Sequence, residues 1–257
     1  MNFDPTPDHL SRLSRARRLT AELSATIPGI DETCAVPAQM LHAVADASLD
    51  DVFDAGSVGA VLVIEELAVA SAALATVVGL DRLAGPQPES ATSPGRAWPG
   101  LRGADRALAG AANATGAAAD GARLVLCAVA TGVGRAAVAH AIAAMKEKGV
   151  RPGGDERTPH WTLADAAAEI DAARLLTLAA AQQLDREAGA TEAIALARSF
   201  SAPAAERAVD AAIRVVGPLG YQAGSLLERL SRDARTLTLV LDTVEQSRAS
   251  AASILGA

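Results

Sequence analysis

The sequence predicts an all-α protein, and three observations carry that prediction. Alanine dominates long stretches, and apolar side chains recur at spacings of three and four residues. Aromatic residues, which suit pleated sheets, are only 2% of the 257 residues: three Phe, two Trp and one Tyr. No segment alternates polar and apolar residues as a half-buried strand does. Half of the residues are apolar, ample for a packed core and too many for a disordered chain.

Pro5 and Pro7 precede a first helix over about 8–25, with Leu10, Leu13, Leu19 and Leu23 at helical spacing. Arg12, Arg15, Arg17 and Arg18 decorate it, either as a solvated surface or as an anion-binding face. Pro28, Gly29 and Pro37 read as a turn region. A short helix over 38–47 follows, then a longer one over 57–79 that is apolar nearly all round and therefore central and buried. The chain thus divides into an N-terminal helical domain (1–80), a Pro/Gly-rich linker (81–114) onto which Trp98 and Leu101 could dock, and a C-terminal four-helix bundle (115–257). The bundle helices are expected over 115–148, 158–187, 191–216 and 222–255, the last broken near Asp233. Pro203 predicts a kink near residues 200–203.

The formal net charge of −7 argues against nucleic acid as a partner. Cys34 and Cys127 are too few for a disulfide framework, and nothing at the N-terminus reads as a signal peptide. The longest apolar run, Leu67 to Leu80, is shorter than a membrane span. A cytoplasmic, soluble protein is the expectation.

One motif invites a dinucleotide-binding reading. Residues 123–130 could be a strand, and Gly132-Val-Gly134-Arg-Ala-Ala137 could be a phosphate-cradling turn. That chemistry needs a second strand ending in a carboxylate about twenty residues on. No such strand follows, which favours two glycines at a close helix–helix contact. His9, His42, His140 and His160 lack metal-ligand spacing, and no nucleophile elbow or P-loop is present.

A more specific signal lies in the order of several segments. Leu163-Ala-Asp165 and Asp171-Ala-Ala-Arg174-Leu-Leu176 come first. Arg214-Val-Val-Gly217-Pro-Leu-Gly220-Tyr221 and Leu227-Glu-Arg-Leu-Ser-Arg232-Asp233-Ala-Arg235 follow. This order resembles the C-terminal helical domain of the acyl-CoA dehydrogenases. Asp120-Gly-Ala-Arg123 resembles that family's Asp-x-x-Arg near the acyl-CoA site. Val63-Ile-Glu65-Glu66-Leu-Ala68 resembles a segment of its N-terminal helical domain. The resemblance implies an acyl-CoA-dehydrogenase-like helical bundle whose middle β domain is deleted, its place taken by the stretch from Asp81.

The same resemblance locates what is missing. The family removes an α-proton with a Glu while a hydride passes to FAD. The two positions that Glu occupies in the family fall here on Leu241 and Ala122, neither of which accepts a proton. Asp242, one residue along, is the remaining candidate base. The family's flavin-contacting positions fall on Gly217, Gly220, Arg157 and Thr243, while Pro218 and Lys148 depart from the pattern. Asp120 and Arg123 are either remnants of the substrate site or a structural ion pair. The reading that follows is a non-catalytic or accessory subunit of a heteromeric, FAD-dependent acyl-CoA dehydrogenase. Its partner would be a full-length homologue, its substrate an acyl-CoA thioester, and the chain at least a dimer. The alternative is a flavin-free scaffold or acyl-CoA-binding protein.

Overall fold

The computed structural model describes residues 5–23, 26–84, 98–147, 157–186 and 190–254. Eleven α-helices lie in these residues: α1 (Pro7–Leu23), α2 (Ile27–Thr33), α3 (Ala38–Asp46), α4 (Gly56–Ala70), α5 (Ala72–Ala84), α6 (Asp105–Ala111), α7 (Gly116–Glu147), α8 (Arg157–Asp185), α9 (Ala190–Val216), α10 (Leu226–Leu237) and α11 (Val244–Ile254). Short 3-10 turns occupy Val52–Ala55 and Pro218–Tyr221. Among the described residues the only β pairing is one isolated parallel bridge, Ala35 to Gly103. The all-α class stands.

At the centre is α7, packed against α4, α5, α8 and α9. It is long and apolar enough to cross a membrane, but 78% of its most apolar stretch is buried by these neighbours, as in the core helix of a globular bundle. Residues 123–137 are helical throughout, so the dinucleotide-like motif is not a strand and turn. Its glycines mark helix contacts, as expected. A Cβ on Gly132 would sit 2.5 Å from the Glu65 carbonyl oxygen of α4, and one on Gly134 would strike the Ile170 side chain of α8. Short connections make α7, α8 and α9 successive antiparallel neighbours.

Four local expectations need correction. The apolar segment 57–79 is two helices, because Ser71 adopts an extended conformation and its Oγ accepts the Leu74 N–H at 3.2 Å, starting α5. Residues 27–33 are helical, because Pro28 sits in the first turn, where its missing N–H is harmless. The stretch read as linker is shorter at both ends: α5 runs on to Ala84 and α6 lies within it, residues 85–97 falling outside the described set. The last segment breaks at residues 238–243, not at Asp233, which is buried within α10. Helix α9 runs unbroken through Pro203.

Candidate functional site

At one end of the bundle the N-termini of α7 and α9 meet the segment between α10 and α11. Asp120 is buried on the first turns of α7 and accepts from Arg123 Nη1 at 3.2 Å and from the Thr191 hydroxyl at 2.6 Å. Arg123 Nε donates to Asp242 Oδ2. The guanidinium pKa is raised, chiefly by that bond to Asp242 and further by the charges of both aspartates, so the cation is held firmly. Asp242 is therefore engaged in an ion pair with Arg123. Leu241, which the resemblance places at the family's Glu, is left-handed (φ 61°) and packs partly buried against the core. Thr243 opens α11 as a capping box: its Oγ1 accepts the Gln246 N–H at 3.2 Å, and its own N–H donates to Gln246 Oε1 at 2.8 Å.

Behind this corner lies Arg198, which has no solvent exposure. Its Nη2 donates to the carbonyls of Leu237 and Val240, satisfying the end of α10 and fixing the turn that carries Leu241 and Asp242. Its Nε and Nη1 have no hydrogen-bond partner among the described residues. Desolvation lowers the Arg198 pKa and raises that of buried Cys127 beside it. Sequence reasoning passed over Arg198. The signal was there, since it interrupts the apolar stripe Ile194–Ala202 of α9 at helical spacing.

The other predicted site residues lie at the opposite end. Because α8 returns antiparallel to α9, Arg157, the first residue of α8, shares an end with the turn at 217–221. Gly217 adopts φ 85° with open space where a Cβ would stand, and Gly220 is buried against Leu227. The Gly217 and Gly220 N–H groups are spent on Ile213 and Gly217 carbonyls, at 2.8 and 2.9 Å. Leu219 and Tyr221 are 61% and 66% exposed. Thr243 is linked through Asp242, Arg123 and Asp120 to the first turn of α9, whereas Gly217 follows its last. A rise of 1.5 Å per residue separates these ends by about 40 Å, beyond the reach of one dinucleotide. Taken alone, this chain does not gather the residues that the resemblance assigns to flavin into one site. Lys148 lies outside the described residues.

Two further polar clusters involve motif residues. Glu65, 1% exposed, accepts from Arg135 Nη1 at 3.0 Å and Arg174 Nε at 2.8 Å, joining α4, α7 and α8. The segment before α6 docks on α10, as its Trp98 and Leu101 promised. Leu101 is fully buried and its N–H donates to Asp233 Oδ1 at 2.6 Å, while Gly100 N–H reaches Thr236 Oγ1 at 3.0 Å. Arg232 binds the Pro99 carbonyl at 2.8 Å and both Asp31 oxygens, tying in α2. Burial pushes the Asp233 carboxyl up to about 6, against the lowering effect of the Leu101 N–H.

These helices and motifs define a known family. The model of the acyl-CoA dehydrogenase C-terminal domain matches residues 109–251, more than half of the chain, and the chain belongs to that family. The probable acyl-CoA dehydrogenase YngJ of Bacillus subtilis (strain 168) is 34% identical over 131 residues, 50% of this chain and 34% of that protein. The 3-(aryl)acrylate reductase of Clostridium sporogenes (strain ATCC 15579) is 30% identical over 135 residues, 52% of this chain and 36% of that protein. Each match thus spans about half of this chain and about a third of the relative. The structure of butyryl-CoA dehydrogenase from Megasphaera elsdenii superposes with a TM-score of 0.83 at 16% identity, over 100% of both chains, a likeness of fold.

Proposed function

We propose that this chain is a non-catalytic or accessory subunit of a heteromeric, FAD-dependent acyl-CoA dehydrogenase, built of a helical N-terminal part and a C-terminal bundle. The observation that carries this reading is the pairing of Arg123 with Asp242 beside Leu241. Within a dehydrogenase family, it leaves the position of the base apolar and its acidic neighbour neutralised. A full-length homologue supplies the base and the flavin. The exposed turn bearing Gly217 and Gly220, together with Arg157, faces one partner surface, and Thr243 faces another, at the far end of α9. Asp120 and Arg123 are the remnant of an acyl-CoA site, now a structural pair. The assembly is cytoplasmic.

Co-expression with a full-length homologue from the same genome tests this. The expected outcome is a complex that carries flavin absorbance at a fixed subunit ratio and loses dehydrogenase activity when the partner's Glu is replaced. A colourless protein that ignores the homologue would instead support the flavin-free scaffold or acyl-CoA-binding protein.

A further inference from the structure

A cavity of about 240 Å³ opens between α1, α4, α7 and α8, lined by Leu13, Arg17, Leu62, Glu65, Glu66, Arg135, Asp171 and Arg174. It lies away from both ends of the bundle discussed above. The volume equals that of about eight waters. Three guanidinium groups and three carboxylates surround it, so its net charge is zero while both signs are concentrated.

The donors and acceptors are unequally used. Glu65 takes one N–H from Arg135 and one from Arg174 and holds both side chains in place. An arginine carries five donors, so most of those on Arg17, Arg135 and Arg174 remain for something else. On the acceptor side, Glu66 is 9% exposed, and its buried Oε2 has no hydrogen bond. Arg17 Nε stands 3.5 Å and Arg135 Nη1 3.6 Å away, close enough for charge attraction but too far for good hydrogen bonds. A buried, unsatisfied carboxylate oxygen is costly, and a donor placed in the cavity would satisfy it.

We propose that this cavity binds a small zwitterion. Its anionic group, phosphate or carboxylate, would sit among Arg17, Arg135 and Arg174, and its ammonium against Glu66 and Asp171. Guanidinium forks match such anions in geometry, and Glu65 preorients two of the three. This also gives the arginine face of α1 a specific member: Arg17 points to the cavity, whereas Arg12 is consumed by Asp8 and Asp54.

Titration calorimetry on the full chain tests the site, with O-phosphoethanolamine as the probe and inorganic phosphate and ethanolamine as its two halves. The expected result is a dissociation constant at or below about 1 mM for the whole probe and much weaker binding of either half. Arg17→Met, at an exposed position on α1, should weaken binding at least about tenfold, the loss of one charge-assisted contact, with the helical circular-dichroism spectrum retained. Glu66→Gln should bring the probe down to the affinity of phosphate alone. No heat with the wild-type chain would mean that the cavity holds only water and would overturn the site. Equal affinity for phosphate and the whole probe, or unchanged binding by Arg17→Met, would also overturn it.

Discussion

Arg123 on α7 and Asp242, five residues beyond the end of α10 and next to Leu241, form one ion pair. The arginine is also bonded to Asp120, so two carboxylates share a single guanidinium. The pair is only partly buried, which limits its worth to about 1 kcal/mol. A double-mutant cycle with Arg123→Gln and Asp242→Asn should give a coupling energy of that order in urea unfolding. Additive effects would mean that the two side chains do not hold each other.

Asp233 makes stability depend on pH in an unusual direction. Its folded pKa, about 6, lies above the ordinary value of 3.8. Between these values the folded protein keeps a proton that the unfolded chain releases, so stability falls as pH rises through the window and stays lower above it. The full effect is at most about 3 kcal/mol. Glu228 acts oppositely: its hydrogen bond with Arg232 lowers its pKa, and its contribution disappears as pH falls. Asp233→Asn keeps an acceptor for the Leu101 N–H but cannot ionise. The expected outcome is that the variant gains on wild type as pH rises from about 4 to 7. A constant difference across that range would show that Asp233 titrates normally.

The class of fold was legible because helical periodicity and alanine content act over many residues, and local exceptions average out. The exceptions were decided by single side chains. Ser71 splits an apolar run by capping the next helix, a role its hydroxyl has only once Leu74 N–H is unpartnered. The break before α11 is marked by Thr243-Val-Glu-Gln246, a capping box that the sequence analysis did not use. For the site, the sequence supplied the residues Asp120, Arg123 and Asp242 one by one. The capture of Asp242 by Arg123 was not legible, because 119 residues separate them and only the packing of α7 against the end of the bundle brings them together.

A cap across the fold gives a third prediction. Asp185, the last residue of α8, places Oδ1 2.7 Å from the Ser57 N–H and Oδ2 3.4 Å from the Val58 N–H, at the start of α4. The carboxylate satisfies otherwise unpaired amides and opposes the positive end of the helix dipole. Asp185→Ala should cost about 1–2 kcal/mol, read as a shift in the urea midpoint at constant slope. Asp185→Asn should lose less, since its amide oxygen still accepts. Equal loss by both variants would assign the effect to charge alone.

Glycines at close contacts and at turns should respond differently to a methyl group. At Gly132 the added carbon would meet the Glu65 carbonyl oxygen at 2.5 Å and Ala68 Cβ at 2.6 Å, backbone and short side chain that cannot swing away. Helices α4 and α7 would have to separate, and Gly132→Ala should lose about 3 kcal/mol or more, the upper range for overpacking. Gly217 has no neighbour there, and its cost is confined to a backbone conformation (φ 85°, ψ −157°) that residues with a Cβ rarely adopt, about 1–3 kcal/mol. Chemical denaturation should therefore rank Gly132→Ala below Gly217→Ala. The opposite order would mean that α7 and α4 do not approach at Gly132, and with it the packing that sets Glu65 between Arg135 and Arg174 would fall.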